Sequence, residues 1–137
     1  SPQQSSSPEE SDSTVMALSG RKILVVDDNV DAAISLQSIL QLKGNDVVLA
    51  HNGSLAVDAV DEFQPDVVLM DIGMPMMNGY EACRRIRSKK NLNQPIIIAC
   101  TGWGQEEDRL TAVNAGFDFH LVKPVDIERL EKIVLRL

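Results

Sequence analysis

Four short apolar runs each end on a residue able to handle phosphate or a divalent metal, and this repetition narrows the fold more than any other feature of the chain. Ile23-Leu24-Val25-Val26 leads into Asp27-Asp28, Val67-Val68-Leu69-Met70 into Asp71, Ile96-Ile97-Ile98-Ala99-Cys100 into Thr101, and Phe119-His120-Leu121-Val122 into Lys123-Pro124. Continuous Val/Ile/Leu runs of this length read as strands buried on both faces. Helical spacing fills the intervals. Ala32-Ala33, Leu36 and Ile39-Leu40 follow the first run, with Gly44 as a stop. Another strand, Val47-Val48-Leu49, precedes Ala56, Ala59-Val60 and Phe63; then come Tyr80, Cys83 and Ile86 after the Val67 run, Leu110 and Val113 after the Ile96 run, and Ile127, Leu130, Ile133-Val134 and Leu137 at the end.

Strand-helix alternation of this kind predicts an α/β fold with a parallel sheet, helices on both faces and right-handed crossovers. The small solution is a flavodoxin-like, doubly wound (βα)5 domain with strand order 2-1-3-4-5. Ligands bind outside the carboxyl ends of such strands, at the switch point between the first and third. Asp27, Asp28, Asp71, Thr101 and Lys123 are thereby brought to one edge.

A chain of 137 residues, 44% hydrophobic, supports one domain. Its first twenty residues carry seven Ser and the acids Glu9, Glu10 and Asp12, a composition that cannot offset ordering entropy by burial. The expected organisation is a disordered Ser-rich linker or tail over 1–20 and a folded domain over 21–137. Net charge of -7 and a pI near 4.7 argue against a direct nucleic-acid surface; Arg84-Arg85 and Lys89-Lys90 read as a solvated helix face and its C-terminal end. No apolar run approaches the roughly 18 residues of a membrane span, and no apolar signal core is visible. A cytoplasmic domain without membrane contact of its own is expected, with a membrane-anchored parent chain left open. Cys83 and Cys100 lack metal spacing and read as buried thiols; His51 is isolated.

Asp27-Asp28-Asn29 has two readings, as helix N-caps or as ligands, and Asp71 alone could be a turn residue. Taken together, three carboxylates at one edge repel by about 4 kcal/mol per pair at 4 Å and an effective dielectric near 20. A divalent cation and Lys123 neutralise them, and an all-oxygen donor set suits Mg2+ or Mn2+.

The ordered set of Asp27-Asp28, Asp71-Ile72-Gly73-Met74-Pro75-Met76-Met77-Asn78-Gly79, Thr101-Gly102 and Lys123-Pro124, with Thr101 and Lys123 lying 30 and 52 residues after Asp71, resembles the response-regulator receiver domain of two-component phosphorelay signalling. The resemblance runs from about Arg21 to Leu137. It implies that Asp71 is the phosphoacceptor, taking a phosphoryl group from a phosphohistidine; that Asp28 and Asp71 ligate Mg2+ directly, Asp27 through water and Gly73 by its backbone carbonyl; and that Lys123 pairs first with Asp71 and then with the phosphoryl oxygens. Thr101 becomes the switch hydroxyl, and Lys123-Pro124 a cis peptide. The family couples Thr101 to an aromatic side chain at the position of His120, so this chain departs from the pattern there: a rotating histidine and a plain surface-strand histidine both remain open. Trp103 and Gly73 occupy positions that influence phosphoryl hydrolysis, and Met74, Met76 and Met77 read as loop packing.

Implied partners are a histidine kinase or a histidine phosphotransfer domain, meeting either the fourth helix, fifth strand and fifth helix or the pocket rim near the first helix, with a weak homodimer as an open option. The leader, Thr101-Gly102-Trp103-Gly104-Gln105 and His120 to Asp126 are most similar to a receiver of a hybrid sensor histidine kinase; a stand-alone single-domain regulator is the alternative. Such a domain catalyses only its own phosphorylation and dephosphorylation. A haloacid-dehalogenase-type phosphatase would need an Asp-x-Asp nucleophile motif, and Asn29, Val30 and Gly73 stand where its second acid belongs. A phosphorylation-independent pseudo-receiver would have lost an acid or the lysine, and a Rossmann binder would show GxGxxG.

Overall fold

The computed structural model of the chain describes residues 19–74, 77–90, 92–102 and 109–135. The expected tail through residue 18 and Leu137 lie outside them. In chain order the elements are β1 (Lys22–Val26), α1 (Val30–Leu42), β2 (Asp46–Ala50), α2 (Gly53–Phe63), β3 (Val67–Asp71), α3 (Gly79–Arg87), β4 (Ile96–Thr101), α4 (Arg109–Ala115), β5 (Phe119–Val122) and α5 (Ile127–Leu135). The strands form one five-stranded sheet in the order β2-β1-β3-β4-β5, with every pairing parallel. This is the flavodoxin-like arrangement anticipated from the runs.

Strand residues alternate between two cores. Ile23, Val25, Val67, Leu69, Ile98, Cys100 and Leu121 meet Ala33 and Leu40 of α1 and Leu130 and Val134 of α5. On the opposite face Leu24, Val26, Val68, Met70 and Ile97 meet Ala56 and Val60 of α2, Ala82, Cys83 and Ile86 of α3, and Ala115 of α4. Both faces are covered, so the runs are continuous rather than alternating.

Asparagines start three of the helices. Asn29, Asn52 and Asn78 accept hydrogen bonds from the amides of Ala32, Leu55 and Glu81, satisfying donors that the first turn leaves without partners. After α1 the chain reverses through Gly44 at φ +94°, a left-handed conformation that a side chain disfavours.

Helix α4 departs from expectation. Leu110 and Val113 are 70% and 68% exposed, whereas Ala112 and Ala115 are buried. The helix, whose backbone lies against α3, turns its small residues inward and its large ones to solvent. On α1, likewise, Ala33 and Leu40 are buried while Ala32 and Ile39 are exposed. Among the described residues no helix is long and apolar enough to cross a membrane.

Candidate functional site

Strands β1 and β3 are neighbours, with Val26 registered opposite Met70, so Asp27 and the terminal Asp71 emerge side by side. Asn29 performs the capping of α1, which resolves the ambiguity of the Asp27-Asp28-Asn29 triplet and leaves both acids for the pocket. Ligand oxygens of Asp27, Asp28 and Asp71 lie within 4.8 Å of one another. Asp27 and Asp71 are buried, and Asp28 is exposed.

The two buried carboxylates are held alike. Oδ1 of Asp27 accepts the Asn29 amide at 2.9 Å, and Oδ1 of Asp71 accepts the Gly73 amide at 2.9 Å. Each Oδ2 faces Lys123, whose Nζ stands 2.9 Å from Asp27 and 3.1 Å from Asp71. The lysine thus joins both acids, where the sequence reading paired it with Asp71 alone. Burial by itself would push the Lys123 ammonium down, but its hydrogen bonds to Asp27 and Asp71, with their charge, outweigh that and hold it above the ordinary lysine value.

Other groups fix this frame. The Lys123 amide donates to the Thr101 carbonyl at 2.7 Å, and the Lys123-Pro124 bond is cis. Nδ1–H of His51 donates to the Asp27 carbonyl at 3.1 Å. Gly79 is demanded by close approach, because a Cβ there would lie 2.6 Å from the Ile72 Cα and 2.7 Å from the Asp71 carbonyl oxygen. Cys100, registered opposite Asp71, is a buried thiol that burial pushes up to about 12; it stays neutral beside the acids.

Thr101 is buried at the end of β4, and its Oγ1 lies 2.9 Å from Nε2 of His120. His120 is half-buried and registered opposite Ala99, while Val122 is opposite Thr101, which puts the imidazole on the face of the sheet that carries the Thr101 side chain. His120 is thus a half-buried strand histidine in contact with the Thr101 hydroxyl. Register was the only clue to this contact. Met74 is buried and Met77 half-buried against the second core, as expected of loop packing. Pro124 is exposed. Trp103, Pro75 and Met76 lie outside the described residues.

One supporting residue had no signature in the sequence. Arg87 donates to the carbonyls of Pro95 and Gly116, to Gln94, and to Asp118 at 2.7 Å, tying α3 to the approaches of β4 and β5.

Three carboxylates converge without a sulfur or imidazole ligand among them, a hard oxygen set that fits Mg2+ and leaves positions for phosphate oxygens and water. An apolar groove of about 390 Å³ adjoins them, lined among others by Leu36 and Ile39 of α1, Cys100, Pro124 and Val125.

A doubly wound sheet with an acid cluster at its switch point, a lysine on the acids and a hydroxyl at the end of β4 defines a class of phosphate-handling signalling domain. Residues 23–135 match the response regulator receiver domain, and the chain belongs to that family. It is similar to the receiver domain of the sensor histidine kinase PA1611 from Pseudomonas aeruginosa, which was solved with a magnesium ion coordinated in the active site cleft: identity is 33%, TM-score 0.75, with 86% of this chain and 97% of that one covered. The chemotaxis protein CheY4 of Vibrio cholerae is 26% identical at TM-score 0.76, covering 86% and 98%. The receiver domain of Ssk1 from Saccharomyces cerevisiae, solved with the histidine phosphotransfer protein Ypd1, is 28% identical at TM-score 0.73, covering 85% and 87%.

Proposed function

We propose that Asp71 is the phosphoacceptor of this receiver. The observation that carries the reading is the placement of Asp71 between Lys123 and the acids of β1: a buried carboxylate steadied by the Gly73 amide and the Lys123 ammonium. A carboxylate oxygen attacks phosphorus of a phosphohistidine, the P–N bond breaks as the new P–O bond forms, and the departing imidazole takes up a proton. Lys123 then turns from the Asp71 carboxylate to a phosphoryl oxygen. Asp28 and Asp71 directly, Asp27 through water and the Gly73 carbonyl would hold Mg2+, or Mn2+, which supplies charge neutralisation to a loose, charge-rich transition state.

The donor is a histidine kinase or a histidine phosphotransfer domain in the cytoplasm. Val30 and Ile34, 47% and 46% exposed on α1 beside the acid cluster, offer an apolar seat for a helix that presents the phosphohistidine, and the Ssk1 receiver was crystallised with such a partner. Similarity to the PA1611 receiver supports a hybrid sensor histidine kinase as the parent, with this domain catalysing only its own phosphorylation and dephosphorylation.

Incubation with Mg2+ and acetyl phosphate, followed by intact mass, tests the assignment. An acid-stable, base-labile phosphoryl adduct on the wild type that is absent from Asp71→Asn is expected. An adduct that persists in Asp71→Asn would overturn it.

A further inference from the structure

The Thr101 side chain is 2% exposed, and among the described residues its hydroxyl has one hydrogen-bond partner, Nε2 of His120. A buried donor left without an acceptor is costly, while an unused lone pair on a hydroxyl oxygen is tolerated better. With a single partner the Thr101 proton therefore goes to Nε2, and the imidazole carries its own proton on Nδ1. The hydroxyl that would contact a phosphoryl group on Asp71 is already engaged.

We infer that His120 is a positioning residue that holds the Thr101 hydroxyl in the resting domain and competes with the phosphoryl group for it. The inference rests on Asp71 as the acceptor. Its geometry lies along β5: His120 holds the hydroxyl, and three residues later Lys123 holds the Asp71 carboxylate and donates its amide to the Thr101 carbonyl. One strand end therefore grips Thr101 at both its side chain and its backbone. On phosphorylation the hydroxyl leaves a neutral nitrogen for an anionic oxygen, a stronger acceptor. The imidazole sets the threshold of that exchange, where an aromatic ring without an acceptor nitrogen would set none.

The test is the affinity for beryllofluoride, an analogue of the aspartyl phosphate, measured with Mg2+ by 19F NMR. His120→Phe keeps a ring and removes the acceptor, and is expected to bind roughly two- to ten-fold tighter than wild type, the equivalent of one intramolecular hydrogen bond. His120→Gln, whose Oε1 can accept the same proton, is expected to restore wild-type affinity. In a Thr101→Val background His120→Phe should have no effect. In the wild type, the 15N resonance of His120 Nε2 should report an unprotonated, hydrogen-bonded nitrogen and should move when beryllofluoride is added. An unchanged affinity in His120→Phe, an equal shift in the Thr101→Val background, or a protonated Nε2 at rest would overturn the inference while leaving Asp71 as the acceptor. A wild type that takes up no beryllofluoride would overturn both.

Discussion

The Lys123 ammonium stands 3.1 Å from Oδ2 of Asp71 as one arm of a fork whose other arm reaches Asp27 at 2.9 Å. One cation thereby restrains two buried carboxylates that would otherwise repel.

Replacing Lys123 by Met should leave the fold intact and slow phosphoryl uptake from acetyl phosphate by roughly 10- to 100-fold, as expected for a lost hydrogen bond to a charged group; intact mass over time measures it. The Lys123 pKa is raised in the folded state. Its contribution to stability is therefore complete below the unfolded lysine value of about 10.4 and fades as pH rises through the folded one. Urea titrations of wild type and Lys123→Met should show a stability difference that is flat across neutral pH and changes only in the alkaline range.

Magnesium should raise the melting temperature, because the ligand oxygens of Asp27, Asp28 and Asp71 come within 4.8 Å of one another in the folded chain and the unfolded chain has no such site. Linkage gives about 2.7 kcal/mol at a hundredfold excess over Kd. Calorimetry with Mg2+ and with EDTA should show the rise in wild type and its loss in Asp28→Asn.

Both thiols should resist modification in the native protein. Burial pushes Cys83 up to about 11 and Cys100 up to about 12, so neither offers thiolate at pH 8. Titration with a chromogenic disulfide should count no reactive thiol before unfolding and two in denaturant. Because these values are raised, the thiols ionise in the unfolded chain before they do in the folded one, so stability falls as pH climbs past the unfolded thiol value of about 8.5.

Gly79→Ala should cost about 1–3 kcal/mol in urea unfolding, the usual price of overpacking, because the added Cβ meets the backbone of Ile72 and Asp71 rather than a flexible side chain. The displaced Asp71 carbonyl should also slow adduct formation.

Arg87→Lys should destabilise by roughly 1.5–3 kcal/mol despite keeping the charge, the scale of a lost hydrogen bond to a charged group. A lysine cannot serve the Pro95 and Gly116 carbonyls and Asp118 together, whereas the guanidinium fork does. Circular dichroism melts of the two proteins measure the difference.

Much of this domain was legible because buried parallel strands leave unbroken apolar runs and their chemistry sits at the run ends. Asp27, Asp28, Asp71, Thr101 and Lys123 were placed together on that basis alone, and the strand order followed from alternation. The facing of α4 was not legible: Leu110 and Val113 have core-like spacing, yet Ala112 and Ala115 take the core, and hydrophobicity alone does not say which side of a short helix is turned inward. The sharing of Lys123 between two acids and the hydrogen bond of Thr101 to His120 depend on distances between strand ends. Arg87 answers loop carbonyls, which every residue possesses and no sequence pattern marks.

The pairing of β1 with β3 encloses all of α1, β2 and α2 between its partners. Asp27 and Asp71 consequently meet only after a long-range closure that folding reaches late relative to any local helix. A chain that has made its helices but not this pairing has not yet gathered its three acids, nor set Asp71 in its place beside Lys123. An unfinished copy would therefore lack the arrangement on which the proposed phosphoryl transfer depends.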